Sequence, residues 1–174
     1  MNKTLPSREQ AIELLRENHC PTIVIRHSEM VAELALEIAD KLEKKGVKVN
    51  RELVEVGSLL HDLGRSKSNG VDHGLVGANM ATSEGLLEPL VDIIKRHVGG
   101  GITAEEAEKF GWPKDVYIPV TLEEKIVSYA DKLIDHSRRV SIDLEIKKLK
   151  KEHKNEPAER IRKLHNEITN LLGN

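Results

Sequence analysis

Apolar residues return along this chain at intervals of three and four, the period of helices with one buried face. The first stripe, Ile12, Leu14 and Leu15, follows Ser7 and Gln10 at capping-box spacing and predicts a helix from Ser7 to about Asn18. Pro21 separates it from a longer stripe of Val24, Val31, Leu34, Ala35, Ile38 and Leu42, which predicts a helix from Thr22 to about Lys45 that Gly46 stops. His27 lies on that stripe. A third helix starts at Asn50, turns Leu53, Val56, Leu59 and Leu60 inward, and ends where Gly64 suits the left-handed C′ position. His61 and Asp62 fall in its last turn.

Residues 65–72 read as a polar loop, and His73 opens a segment whose Gly74, Gly77, Ala78 and Ala81 allow close helix approach. Pro89 suits the first turn of a short helix through Arg96 and His97. Gly99, Gly100 and Gly101 break it at once and form a candidate lid hinge. Thr103 with Glu106, and Thr121 with Glu124, repeat the capping-box spacing, so helices are expected near 104–110 and 122–139, the second carrying Asp131. Between them, Trp112 reads as core packing in preference to base stacking. From Ser141 to Asn174 the chain is rich in Lys and Glu, is interrupted at Pro157, and resumes with Ile161, Leu164, Ile168 and Leu171. That pattern predicts a packing or dimerising arm, not a catalytic one.

Composition supports the helical reading. Hydrophobic residues make up 39% of the 174 positions and aromatics only 2%, so the core must be aliphatic. The length suits one domain. With 27 basic and 29 acidic residues, the net charge of −2 gives no standing attraction for nucleic acid or an anionic membrane. No stretch approaches the ~18 apolar residues needed to cross a bilayer, and MNKTLPSREQ lacks a leader-like apolar run, which leads us to expect a cytoplasmic protein. The single cysteine, Cys20, excludes an internal disulfide and a cysteine-rich zinc site, so any bound metal must use His and carboxylates.

Candidate chemistry comes from polar residues in apolar places. His27, the His61-Asp62 pair, His97 and Asp131 fall on the inner face or buried end of predicted helices, where an unpartnered His or Asp is costly. A shared divalent cation compensates such a group, since neutral imidazole and ionised carboxylate both ligate Zn, Mn or Fe(II). His19, His153 and His165 are expected on the surface.

The segments VIRHSEMVAELA, SLLHDLGR and EEKIVSYADKLID, with their His, His-Asp and distant Asp in that order, resemble the HD-domain metal-dependent phosphohydrolase superfamily. HDLG is one conservative change from the HDIG form common in a large subset. The resemblance spans about residues 22–139 and implies an all-α HD-domain helical bundle over residues 1–140, with 141–174 as a charged helical extension. It implies metal ligation by His27, His61, Asp62 and Asp131. His73 in DHGLVGAN and His97 in IIKRHVGG are similar to the extra ligands by which some members hold a second ion, with Asp62 bridging. The implied cofactor is one or two divalent ions (Mn, Fe, Co, Ni, Zn or Mg), and the implied catalytic set is His61, Asp62 and Arg65.

A phosphate substrate also needs positive partners, and Arg65, Lys67, Arg96 and Lys132 stand nearest to the motifs. The expected activity is hydrolysis of a nucleotide or other small phosphate mono- or diester by metal-activated water, with a homodimer as a possible assembly. No GYP motif accompanies the HD pair, so a cyclic-dinucleotide specificity is not implied. Two other classes compete: a diiron oxygenase of related helical fold, and a regulatory protein with a structural metal.

Overall fold

The computed structural model describes residues 4–173; the first three positions of the expected leaderless start lie outside it. Helix α1 (Arg8–Glu17) opens with the expected capping box, Ser7 and Gln10 each accepting the other's backbone N–H. Helix α2 (Thr22–Lys44) buries Val31, Ala35, Ile38 and Leu42 and packs on α3 (Arg51–Leu60), which Asn50 caps through the Leu53 N–H at 3.1 Å. A 3-10 turn over Leu63–Ser66, then α4 (His73–Ser83), α5 (Glu88–Arg96), α6 (Ala104–Lys109) and α7 (Leu122–Lys132) complete the bundle. Its core is aliphatic: Leu15, Leu42, Leu59, Leu60, Leu90 and Ile126 are fully enclosed. Burying each such side chain stabilises the fold by about 1.5–3 kcal/mol.

Gly64 was expected to take a left-handed cap, yet it lies within the 3-10 turn and is not among the glycines with positive φ. Glycine is required there by close approach. A Cβ would stand 1.9 Å from the His73 carbonyl oxygen and 2.6 Å from the Gly77 nitrogen, so α4 can cross the turn backbone to backbone. That crossing brings His73 beside Asp62. Of Gly99, Gly100 and Gly101, the last two are likewise closely packed, while Gly99 faces open space. Their φ values are 61°, 72° and 108°, and a Cβ on Gly100 or Gly101 would meet Ile161 Cγ1 at 3.2 Å or Ile118 Cα at 2.9 Å. Packing on both sides argues against the hinge expected at this point.

Helix α7 stops at Lys132, short of the expected 139, because a small hairpin follows. In it β1 (Ile134–Asp135) pairs antiparallel with β2 (Arg138–Arg139), His136 takes φ 56° in the turn, and Arg139 is anchored by Glu37 of α2 through a 2.9 Å hydrogen bond. In the C-terminal arm, Ser141 caps α8 (Ile142–Lys151), and α9 (Asn155–Leu172) follows. The interruption falls at His153, with φ 60°, and Pro157 sits in the first turn of α9, where proline is tolerated. Ile142, Ile146, Ala158, Ile161, Leu164 and Ile168 join the same core as α2 and α3. Of the stripe Ile161, Leu164, Ile168 and Leu171, the first three are buried inside the chain and Leu171 is exposed.

Candidate metal centre

Helix ends build this site. His61 is the C-cap of α3 and His97 the C-cap of α5, His73 opens α4, Asp131 lies in the last turn of α7, and His27 sits one turn into α2. They converge on Asp62, the residue between α3 and the 3-10 turn. Its Oδ2 faces His61 Nε2 at 3.5 Å and His27 Nε2 at 3.9 Å, while its Oδ1 faces His73 Nε2 at 3.2 Å and His97 Nε2 at 3.3 Å. Asp131 Oδ1 closes the first side, 2.9 Å from His27 Nε2 and 3.3 Å from His61 Nε2.

The other ring nitrogens set the tautomers. Nδ1 of His61, His73 and His97 lies 2.6, 2.8 and 2.7 Å from the backbone oxygens of Ser58, Gly70 and Ile94, in each case three residues earlier. His27 Nδ1 lies 3.2 Å from the His136 oxygen at the tip of the hairpin. A carbonyl only accepts, so each Nδ1 donates and a neutral ring presents a bare Nε2. For His61 and His97 the acceptor is a last-turn helix carbonyl, a group that otherwise goes unpaired. One contact thus caps a helix and aims a ligand.

These bare nitrogens fit a metal ion on two observations. His61 Nε2 is buried without a hydrogen-bond partner. His73 Nε2 and His97 Nε2 face each other at 3.0 Å with no proton to share once both Nδ1 atoms donate elsewhere. His27, His61 and Asp131 form one ligand cluster, and His61, Asp62 and His97 a second. Such an arrangement of donors, each ring held by an outer carbonyl, is how proteins prepare divalent-metal sites.

Titration of these groups follows the same logic. Burial is the largest influence on His61 and opposes its charge, but Asp62 and Asp131 override it and push its pKa up to about 10. The position calls for a cation, proton or metal. Burial pulls His97 down to about 4, more than Asp62 can restore, so it stays a neutral ligand. Burial alone would raise both carboxyls. His61, His73 and His97 around Asp62, and Lys132, His27 and His61 around Asp131, instead hold both well below the usual carboxylate range.

A cleft of about 850 Å³ opens over the centre, at the upper end of ordinary ligand pockets. Of the four expected substrate cations, Arg65 and Lys132 line it. The Lys132 ammonium is engaged 3.0 Å from Asp131 Oδ2, and the Arg65 Nε lies 3.7 Å from Asp62 Oδ1. Lys67 is exposed outside the lining. Arg96 is also outside it, locked to Glu124 at 2.9 Å and Asp92 at 3.2 Å. His165, expected on the surface, meets the Tyr129 hydroxyl at 2.8 Å, and Trp112 packs with Tyr117 outside the lining.

The arm, expected to serve packing or dimerisation, also reaches the cleft: Glu145, Lys148 and Leu149 of α8, with Lys154, Pro157 and Arg160 around the start of α9, line it. Their spacing at three- and four-residue intervals was a visible signal, masked by the density of charge around them.

The bundle thus gathers four imidazoles and a second carboxylate around Asp62, a donor set that could hold divalent metal. Residues 24–135 match the HD domain family. The whole chain is similar to an uncharacterised protein of Methanocaldococcus jannaschii, 48% identical over 166 residues that cover 94% of this chain and 98% of that one. It is 37% identical over 171 residues to tRNA (cytidine(56)-2'-O)-methyltransferases of Picrophilus torridus and Thermoplasma volcanium, covering 98% of this chain and 49% of each. The chain therefore spans about half the length of these two relatives. Among solved structures, the HD domain of the L. monocytogenes phosphodiesterase PgpH superposes with a TM-score of 0.55 at 20% identity, covering 94% of this chain and 97% of that one. Its complex with cyclic-di-AMP gives 0.57 at 21% identity, covering 92% and 96%. At that identity the likeness establishes the fold. The chain belongs to the HD domain family and is by class a metal-dependent phosphohydrolase.

Proposed function

We propose that the chain hydrolyses a phosphate ester of a nucleotide, with two divalent ions held on either side of Asp62. The observation that carries this reading is the orphaned lone pairs of His61, His73 and His97 around the two Asp62 oxygens. His27, His61 and Asp131 would hold the first ion and His73 with His97 the second, with Asp62 available to both. When bound there, a divalent metal supplies Lewis-acid polarisation of a phosphoryl oxygen and a water acidic enough to ionise near neutral pH.

The chain's own groups position and discriminate. Carbonyls of Ser58, Gly70, Ile94 and His136 keep the four rings in one tautomer. Lys132 holds Asp131 by its outer oxygen, which leaves Arg65 as the cation nearest the centre for substrate phosphate. Ile23, Val71 and Phe110 are 59%, 43% and 47% exposed along the cleft and suit the face of a base. The cyclic-di-AMP found on the PgpH HD domain is a ligand of that type. Cys20 is buried outside the lining, and water is the nucleophile of this reading.

We assign the methyltransferase activity named for the two longer relatives to the halves this chain does not match. Their shared chain raises a second reading, in which the hydrolysed phosphate is carried by tRNA. The test is a chelator-stripped protein reloaded with Mn, Mg, Co, Ni, Zn or Fe(II) and assayed on nucleoside monophosphates, dinucleotides, cyclic nucleotides and phosphate-ended tRNA. Metal-dependent phosphate release that His61→Ala and Asp131→Ala abolish is the expected result. Full metal content and activity in both variants would overturn it, and iron-dependent oxygen uptake without phosphate release would favour the oxygenase class.

A further inference from the structure

The C-terminal arm lies beyond the matched HD segment, which ends at residue 135, yet it forms a wall of the cleft. Helix α8 turns Glu145, Lys148 and Leu149 toward the opening, positions i, i+3 and i+4, while Ile142 and Ile146 on its other face enter the core. Around the start of α9, Lys154, Pro157 and Arg160 line the same wall at steps of three, with Ala158, Ile161 and Leu164 facing the core. Both helices therefore present a polar stripe to the cleft and an apolar stripe to the bundle. Packing of Gly100 against Ile161 fixes this wall relative to His97.

Three cations on that wall are beyond what the metal centre uses. Arg160 is held to the Glu106 carboxylate at 3.0 Å, and its Nε–H is buried without an acceptor. Lys154 pairs with Glu152 at 2.8 Å, an exposed partner that solvent screens. Lys148 enters no ion pair with any of the described residues, and it is exposed at the cleft. Against them stand Glu106, which also caps α6 through the Thr103 N–H at 2.8 Å, and Glu145. With Glu152 counted, the three cations meet three carboxylates, and Lys148, which has no ion pair among the described residues, is the one left for an anionic ligand. The cleft's volume of about 850 Å³ also exceeds what one mononucleotide fills.

We propose that Lys148, Lys154 and Arg160 form a second phosphate subsite, so that the substrate is a dinucleotide-sized molecule with a phosphoryl group beyond the one at the metal centre. This deepens the phosphohydrolase reading and rests on it for the word substrate, but the subsite is a binding claim that can be tested by itself. Two phosphates set apart by a nucleoside would span the cleft, one on Arg65 and the metal ligands, the other on the arm. A tRNA backbone offers the same phosphates, and exposed Lys147, Lys150 and Lys151 stand outside the lining on the same arm, so competition by tRNA is one arm of the test.

The experiment compares binding of the 5'-phosphorylated dinucleotide pApA with that of AMP, by isothermal titration on the full chain. Wild type is expected to bind pApA about tenfold more tightly than AMP, the worth of two charge-assisted contacts. Lys148→Ala with Lys154→Ala should bring that ratio toward one. Lys147→Ala with Lys150→Ala, the same charge change on the same arm but outside the lining, should preserve it. An equal ratio loss in both double variants, an undiminished ratio in the first, or no preference for pApA in wild type would overturn the subsite. So would a tRNA that competes equally well with pApA on wild type and on the Lys148/Lys154 variant. Absence of hydrolysis beside a preserved binding pattern would instead sink the catalytic reading and leave the subsite standing.

Discussion

The two sides of Asp62 are built from the same kind of ligand and are electrostatically unlike. On the Oδ2 side, His27 and His61 share space with a second carboxylate, Asp131, whose own outer oxygen is neutralised by Lys132. On the Oδ1 side, two imidazoles face each other with no further carboxylate among the ligands, and burial keeps His97 neutral with a pKa of about 4. A cation is drawn to the first side by two negative groups and to the second by one shared oxygen and two dipoles. The difference predicts unequal ions: a tightly held one beside Asp131 and an exchangeable one beside His97.

The sharpest break in that comparison is Asp62→Asn, which removes the group common to both sides. It should lower kcat/KM at least about a thousandfold, roughly 4 kcal/mol of barrier, in steady-state assays on the best substrate found. His97→Ala should cost less, about 10- to 100-fold, and should leave the ion beside Asp131 in place by elemental analysis. Gly64→Ala drives a methyl into the His73 carbonyl, so α4 must shift away from the turn. Overpacking of this kind costs at least about 2 kcal/mol, seen as a melting temperature lower by roughly 4–8 °C, with weakened binding only on the His73 side. Lys67→Ala, outside the cleft, should change neither activity nor melting temperature beyond about 0.5 kcal/mol.

Helix periodicity and capping signals made the bundle legible, because Ser7, Asn50, Thr103, Thr121 and Ser141 all cap where a side-chain oxygen precedes an apolar stripe. The hairpin after Lys132 was invisible to that reasoning, since two-residue strands have too few positions to show a period. His27, His61, Asp62, His97 and Asp131 stood out as polar groups in apolar places, His73 only through the family resemblance, and the fold brings all six together. What the residues alone could not give was the role of backbone. Gly64 looks like a cap from sequence and works by close approach, and the carbonyls that orient the histidines carry no side-chain signature. Arg96 sits beside His97 in sequence, but the next helical position points about 100° away, and it turns to Glu124.

The most direct test of the account is metal titration of the chelator-stripped chain with Mn(II), followed by calorimetry. Wild type should take up two ions per chain with separable affinities, His97→Ala one ion at the tighter affinity, and His61→Ala neither at wild-type strength. A wild-type chain that binds no ion, or a His97→Ala variant that still binds two, would contradict the paired centre on Asp62.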